Sequence, residues 1–333
     1  NLRAGNTTVC EVFFSTRYAD GADEAVVQAL ADLGVRTVFF RCSNDEDFAP
    51  GFMESTADIA RRSRALVGRW EHTGEIRIGV GPIVPWSASG DYWADTVALA
   101  RNDGVPVHLH TAETPEYNDL IRARHGCSNV EFLAGLGALG PNVMLNHCVH
   151  LSDRDIELIA GHRSPVIHDP TSNMILASGI ARVPDLRRAG VVLGLACDGP
   201  ACNNSQDMFE TMKMAALLHK VTTRDADVLH ARDVLAMATH GGATACGLGA
   251  SVGRLEAGWD ADIVVLDAGG AHMCPLHDPE AAVVYSARAA DVRTVLVRGR
   301  VVVRDRVLTT IDEPALLARA QHRARALRRA AAL

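Results

Sequence analysis

Short β-branched runs alternate with longer amphipathic stretches along most of this chain, and that alternation limits its possible folds more than any other feature. The runs cover residues 7–14, 36–42, 76–81, 105–110, 142–147, 166–168 and 191–197. Helical patterns fill the gaps, among them residues 22–33, 93–102, 153–160 and 208–220. Repeated strand–helix units predict a parallel sheet with helices packed outside it. Right-handed crossovers then leave two outcomes, an open doubly wound sheet or a closed barrel.

The polar residues favour the barrel. Arg41, His110, His147, His168 and Asp198 stand at or just past the C-terminal ends of five different runs. A parallel barrel gathers such residues at one mouth, whereas an open sheet concentrates its ligand groups at a switch point. The fold expected is therefore α/β, a (β/α)8 TIM-like barrel. Only seven strands can be counted where eight are needed, and residues 2–5 read as a helix end, so a first strand and its helix are expected upstream of residue 1. Residues 1–250 form the barrel in this reading. Residues 251–310 form the C-terminal part of a small β-sandwich domain, with a hairpin over residues 292–303, and residues 311–333 form a basic, Ala-rich helix.

The net charge of −7 excludes an extended basic surface for nucleic acid. No apolar run reaches membrane-spanning length. The eight cysteines stand singly, with no CxxC pair, which predicts free thiols in a reducing cytoplasm.

Three segments carry the chemistry. In Val107-His108-Leu109-His110-Thr111-Ala112-Glu113 both histidines share one face of a strand, and only His110 reaches the mouth. Glu113 follows three residues later, in the loop. Histidine plus glutamate so placed suits a metal-activated water and a carboxylate that shuttles its proton. A strand-end His and a helix N-cap acid give the structural alternative. Asn146-His147-Cys148-Val149-His150 ends a strand in the same way. Gly194-Leu195-Ala196-Cys197-Asp198-Gly199 is an apolar strand followed by a carboxylate, which could also simply initiate a turn. Imidazole and carboxylate ligands suit zinc or iron. Two metal ligands, His110 and Asp198, are expected from this chain, with His147 as a possible third.

These segments resemble the amidohydrolase superfamily, in its branch of deaminases and chlorohydrolases acting on nitrogen heterocycles. Asn146–Leu151 resembles the sixth-strand motif, and Ser172-Asn173-Met174 with Ala177-Ser178-Gly179-Ile180 resembles the seventh-strand loop. Cys197-Asp198-Gly199 resembles the eighth-strand aspartate turn, and Gly258 with Ala261-Asp262-Ile263 resembles the segment after the barrel. The resemblance implies one divalent metal, zinc or else iron, held by His110 and Asp198. It implies Glu113 as the proton shuttle, His147 as the group that orients the attacking water, and Asp198 as acceptor of the first proton. It also implies a His-x-His pair on a first strand, and no such strand precedes Asn1.

The activity implied is hydrolytic deamination of an aminated purine, pterin, pyrimidine or triazine. Loss of chloride or an alkylamine from a triazine-like ring is the alternative, and an inactive amidohydrolase-like scaffold is a second. Ile83 stands where some nucleoside-acting members have His, which points away from adenosine-like substrates. Cys202 points towards melamine-type ones, since melamine-deaminating members carry Cys in this loop where the chlorohydrolase carries Ser. Arg41, Trp86, Asn173 and Cys202 are the candidate substrate contacts. The expected partners are a small heterocycle and further copies of the chain, as a homodimer or higher homo-oligomer.

Overall fold

The computed structural model describes residues 1–14, 21–46, 48, 51–70, 74 and 76–331. Seven parallel strands pair in sequence order: β1 (Thr8–Phe14), β2 (Arg36–Ser43), β3 (Ile76–Pro82), β4 (Val107–Thr111), β5 (Val143–His147), β6 (Val166–His168) and β7 (Leu193–Leu195). Helices follow the strands and cover the outer face, including Ala22–Leu33, Thr56–Trp70, Gly90–Asn102, Asp153–His162 and Met208–Thr223. The sheet is the curled, TIM-like half-barrel expected, seven strands wide. β7 is shorter than the run read from sequence and stops at Leu195, so Asp198 lies in the turn beyond it.

The side-chain period of two along each strand decides which residues face in. On β2, Val38, Phe40 and Cys42 join Met144 of β5 and Ile167 of β6 in the inner core. Phe39 points the other way, into a cluster with Val27, Leu66 and Trp70 of the helices. Close strand contact fixes one glycine. A Cβ on Gly81 would lie 2.3 Å from the His108 carbonyl oxygen, so β3 could not lie against β4 with any other residue there.

A second sheet is antiparallel, in the order β11 (Val307–Leu308), β10 (Arg300–Arg304), β9 (Val292–Val297), β8 (Ile263–Leu266). It contains the expected hairpin. Residues 2–5 form a short 3-10 turn, Leu2–Ala4, capped by Gly5 at φ 85°, and Gly5 sits against Val264 and Val292 of this sheet. Arg36 at the start of β2 is 5% exposed and reaches Asp262 through two nitrogens at 2.8 and 2.9 Å, and Asp260 at 3.0 Å. Asp262 also accepts from the Arg298 amide at 2.8 Å. This buried cluster ties the N-terminal end of the parallel sheet to the small one. The tail is the helix Glu313–Ala330. No helix among the described residues is long and apolar enough to cross a membrane.

Candidate active site

His110 is the penultimate residue of β4 and shares the inward face with His108, whose ring packs 5.2 Å from that of Phe40. Its Nδ1 donates to the Ile83 carbonyl at 2.8 Å, which leaves Nε2 free towards the mouth. Metal-binding histidines are typically held in this way, with the second ring nitrogen anchored to an acceptor.

His147 arrives by a different route. It pairs with Thr111 rather than with His110, and strand parity alone would turn it outward with Leu145. Its backbone instead adopts φ 65°, in the left-handed region. That turn swings the imidazole over the mouth, where it stacks on His110 with ring centroids 5.3 Å apart. Left-handed φ recurs at Ala112 (45°) and Asp198 (62°), so three strand-end turns around the site hold conformations that cost a non-glycine residue roughly 1 kcal/mol or more.

Hydrogen bonds set the His147 tautomer. Nδ1 donates to Asn173 Oδ1 at 3.0 Å, and Asn146 Nδ2 donates to Nε2 at 3.3 Å. Nε2 lies on the site side of the ring, 3.8 Å from Glu113 Oε2. Burial and then the neighbouring His110 lower the His147 pKa below its ordinary value, so the ring is neutral at pH 7.

Glu113 is held from two sides. Tyr117 donates to Oε2 at 3.2 Å and Ser178 donates to Oε1 at 3.1 Å. Asp198 accepts from Ser172 Oγ and from the Gly199 amide, both at 2.6 Å. Cys202 lies beside it, and burial, then the Asp198 and Glu113 carboxylates, raise its thiol pKa. It is therefore a neutral thiol at pH 7, not a nucleophile.

The other candidates divide. Asn173 is buried and belongs to the His147 anchor, with its Nδ2 unpaired among the described residues. Trp86 is 8% exposed and meets the Tyr117 ring edge-on at 4.3 Å, which places it one residue from Glu113. Arg41 is fully buried and committed elsewhere: to Asp23 at 3.0 Å, to Ser43 at 2.8 Å and to both oxygens of Glu54 at 2.8 Å. It shares strand parity with Phe39 and so points to the helix side. His168 does the same, its Nε2 lying 3.1 Å from that of His219 on the helix Met208–Thr223.

Sequence reasoning gave no role to Tyr117, Ser178 or Asp169. The Asp169 carboxyl is 1% exposed, has no hydrogen-bond partner among the described residues and lies 3.6 Å from His147 Nδ1. Burial, and then Asp198, raise its pKa well above the carboxylate range. Its place directly after β6 was the available signal.

Imidazole nitrogen and carboxylate oxygen are suitable donors for a divalent metal, so His110 Nε2 and Asp198 fit as part of a ligand set. Among the described residues no group of three or more His, Cys, Asp or Glu is placed to hold an ion. A catalytic zinc takes three protein ligands, so these two would supply only part of the set.

A curled parallel sheet with His110 and Glu113 at the end of β4, His147 at the end of β5 and Asp198 past β7 is the framework of a barrel-class hydrolase. The chain belongs to the amidohydrolase family, which it matches over residues 1–302. It is 38% identical to the 5-methylthioadenosine/S-adenosylhomocysteine deaminase of Pelotomaculum thermopropionicum, over 97% of this chain and 72% of that protein. It is 37% identical to the 5′-deoxyadenosine deaminase of Methanosarcina barkeri, over 98% of this chain and 73% of that protein. Among solved structures, an adenosine deaminase from Xanthomonas campestris with bound zinc superposes with a TM-score of 0.91 at 31% identity, over 97% of this chain and 72% of that one. The chain is thus an enzyme of the deaminase lineage that hydrolyses carbon–nitrogen bonds, and the zinc in that neighbour supports a divalent metal here.

Proposed function

We propose that this enzyme deaminates an aminated purine, pterin, pyrimidine or triazine hydrolytically, with Glu113 and His147 handling the protons. The observation that carries the reading is the convergence of Glu113, His147 and Asp198 beside the free nitrogen of His110, in a chain whose relatives are deaminases. His110 and Asp198 would hold the metal, most simply zinc. When bound, the metal lowers the pKa of a water so that it attacks near neutrality.

The remaining steps belong to side chains. The His147 imidazole, anchored through Nδ1, orients the attacking water. Asp198 takes the first proton. Glu113 carries a proton from the water to the ring nitrogen beside the reacting carbon, which then binds oxygen and nitrogen together in a tetrahedral intermediate. The proton held by Asp198 passes to the amine, the C–N bond breaks, the amine leaves as ammonia, and the ring keeps the oxygen as a carbonyl. Water enters and ammonia leaves, with no change of oxidation state. Tyr117 and Ser178 hold Glu113 between its two positions.

Eight free cysteines support a cytoplasmic location. Exposed Met174, Ile175, Leu176 and Ile180 lie on the loop that bears Asn173 and Ser178, and exposed Leu217 and Val221 lie on the helix Met208–Thr223. Such residues support a homo-oligomer. The test of the reaction is a panel of aminated and chlorinated heterocycles with ammonia and chloride read in parallel. Ammonia release supports deamination, and chloride alone overturns it.

A further inference from the structure

Aromatic residues make up only 5% of the chain, yet the mouth of the sheet carries a connected run of them. Phe14 ends β1, Phe48 and Phe52 follow β2, Trp86 follows β3 and Tyr117 follows β4. Phe14 lies 6.0 Å from Phe52 and 6.1 Å from Phe48, ring centroid to centroid. Phe48 lies 6.4 Å from Trp86, and Trp86 lies 4.3 Å from Tyr117. These separations are those of interacting aromatic pairs. Tyr117 closes the run with its hydroxyl on Glu113.

Exposure is graded along the arc. Trp86, near Glu113, is 8% exposed, whereas Phe48 is 39% and Phe52 is 47% exposed. Outer rings that stay wetted are costly unless something covers them. A wall that is packed next to the reacting centre and open away from it suits a ligand whose polar ring sits at Glu113 and whose tail extends outward. Two further residues define what the tail is. Ile83, at the end of β3 and in the same core cluster as Trp86, is apolar and has no group to bind a sugar hydroxyl. Arg41, the cation of β2, is spent on Asp23, Ser43 and Glu54 and is unavailable to an acidic tail.

We infer that Phe14, Phe48, Phe52, Trp86 and Tyr117 form a substrate subsite for an apolar or aromatic substituent on the aminated heterocycle. The inference rests on the deaminase reading and narrows its substrate class. A hydrophobic group held on this wall places the ring amine beside Glu113, and a small or sugar substituent gains less from it.

The test compares 9-benzyladenine, 9-methyladenine and adenosine, and a benzylamino against a methylamino aminotriazine, on the metal-loaded enzyme. Affinity is measured by calorimetry and kcat/KM by ammonia release. Within each ring system the benzyl compound is expected to bind about tenfold or more tighter than the methyl one, mainly through KM. Adenosine is expected to bind no better than 9-methyladenine. Phe52→Ala and Phe48→Ala should each shrink the benzyl-to-methyl ratio severalfold. Equal affinities within both ring systems, or a ratio unchanged in both variants, overturns the inference. Because calorimetry reads binding without turnover, absence of ammonia with the binding preference intact would count against the deaminase reading alone.

Discussion

Replacing Ser178 by Ala isolates one half of the clamp on Glu113. The hydroxyl is 5% exposed and donates to Oε1 at 3.1 Å, while Tyr117 keeps Oε2 at 3.2 Å. A hydrogen bond to a charged group contributes roughly 1.5–3 kcal/mol. Both contacts are longer than the best charge-assisted O–H···O⁻ bonds, so the lower figure applies. At about 1.4 kcal/mol per factor of ten, S178A should lower kcat/KM about tenfold. Melting temperature should fall by only a few degrees, since roughly 1.5 kcal/mol is a small change for a chain of this length. Steady-state ammonia release measures the effect, and Ser178→Thr, which keeps the hydroxyl, should recover most of it. Tyr117→Phe should behave similarly. The double variant should depart from additivity, since both groups hold one carboxylate. Wild-type kcat/KM in S178A, with the fold intact, would refute the clamp.

Three further outcomes follow from the packing. Asp262→Ala leaves buried Arg36 with Asp260 alone and should cost about 3 kcal/mol in chemical denaturation. Glu54→Ala strips Arg41 of its bidentate partner, so it should lower the melting temperature by several degrees, whereas a substrate role for Arg41 would raise KM instead. Burial lowers the pKa of His219 to about 4, so the folded state resists its protonation while the unfolded chain accepts it near 6.5. The group therefore costs no stability above pH 6.5, and stability falls as pH drops from 6.5 towards 4, by up to roughly 3 kcal/mol for this residue. His219→Gln should flatten that part of the stability–pH curve.

The parallel sheet was legible because its strands are buried β-branched runs whose ends carry polar residues. All seven runs matched their strands to within two residues at either end, and β7 is the one that fell two residues short at both. The turn beyond it carries Asp198 in a left-handed conformation that no apolar pattern records. Arg41 and His168 were misjudged for a reason that strand parity could have supplied. Each alternates with inward residues, Arg41 with Phe40 and Cys42 and His168 with Ile167, and so faces the helices. His147 breaks the same rule in the opposite sense, and only its φ of 65° shows why it reaches the site. The contact of Ser178 with Glu113 was invisible because the two sit 65 residues apart in sequence and only the fold brings them together, whereas Tyr117, four residues past Glu113, was within reach of a local reading. The aromatic arc was hidden for the same reason, its members being spread over four strand–helix connections.

The central claim is that Glu113 moves the proton without holding the metal. Glu113→Gln keeps the size and the neighbours of the side chain but cannot shuttle a proton. With the metal-loaded enzyme and a substrate that the wild type deaminates, metal content measured by emission spectroscopy should equal that of the wild type. Ammonia release should fall by a factor of about 10² to 10⁴. Full turnover with metal retained would contradict the account, and so would metal loss in proportion to the loss of activity.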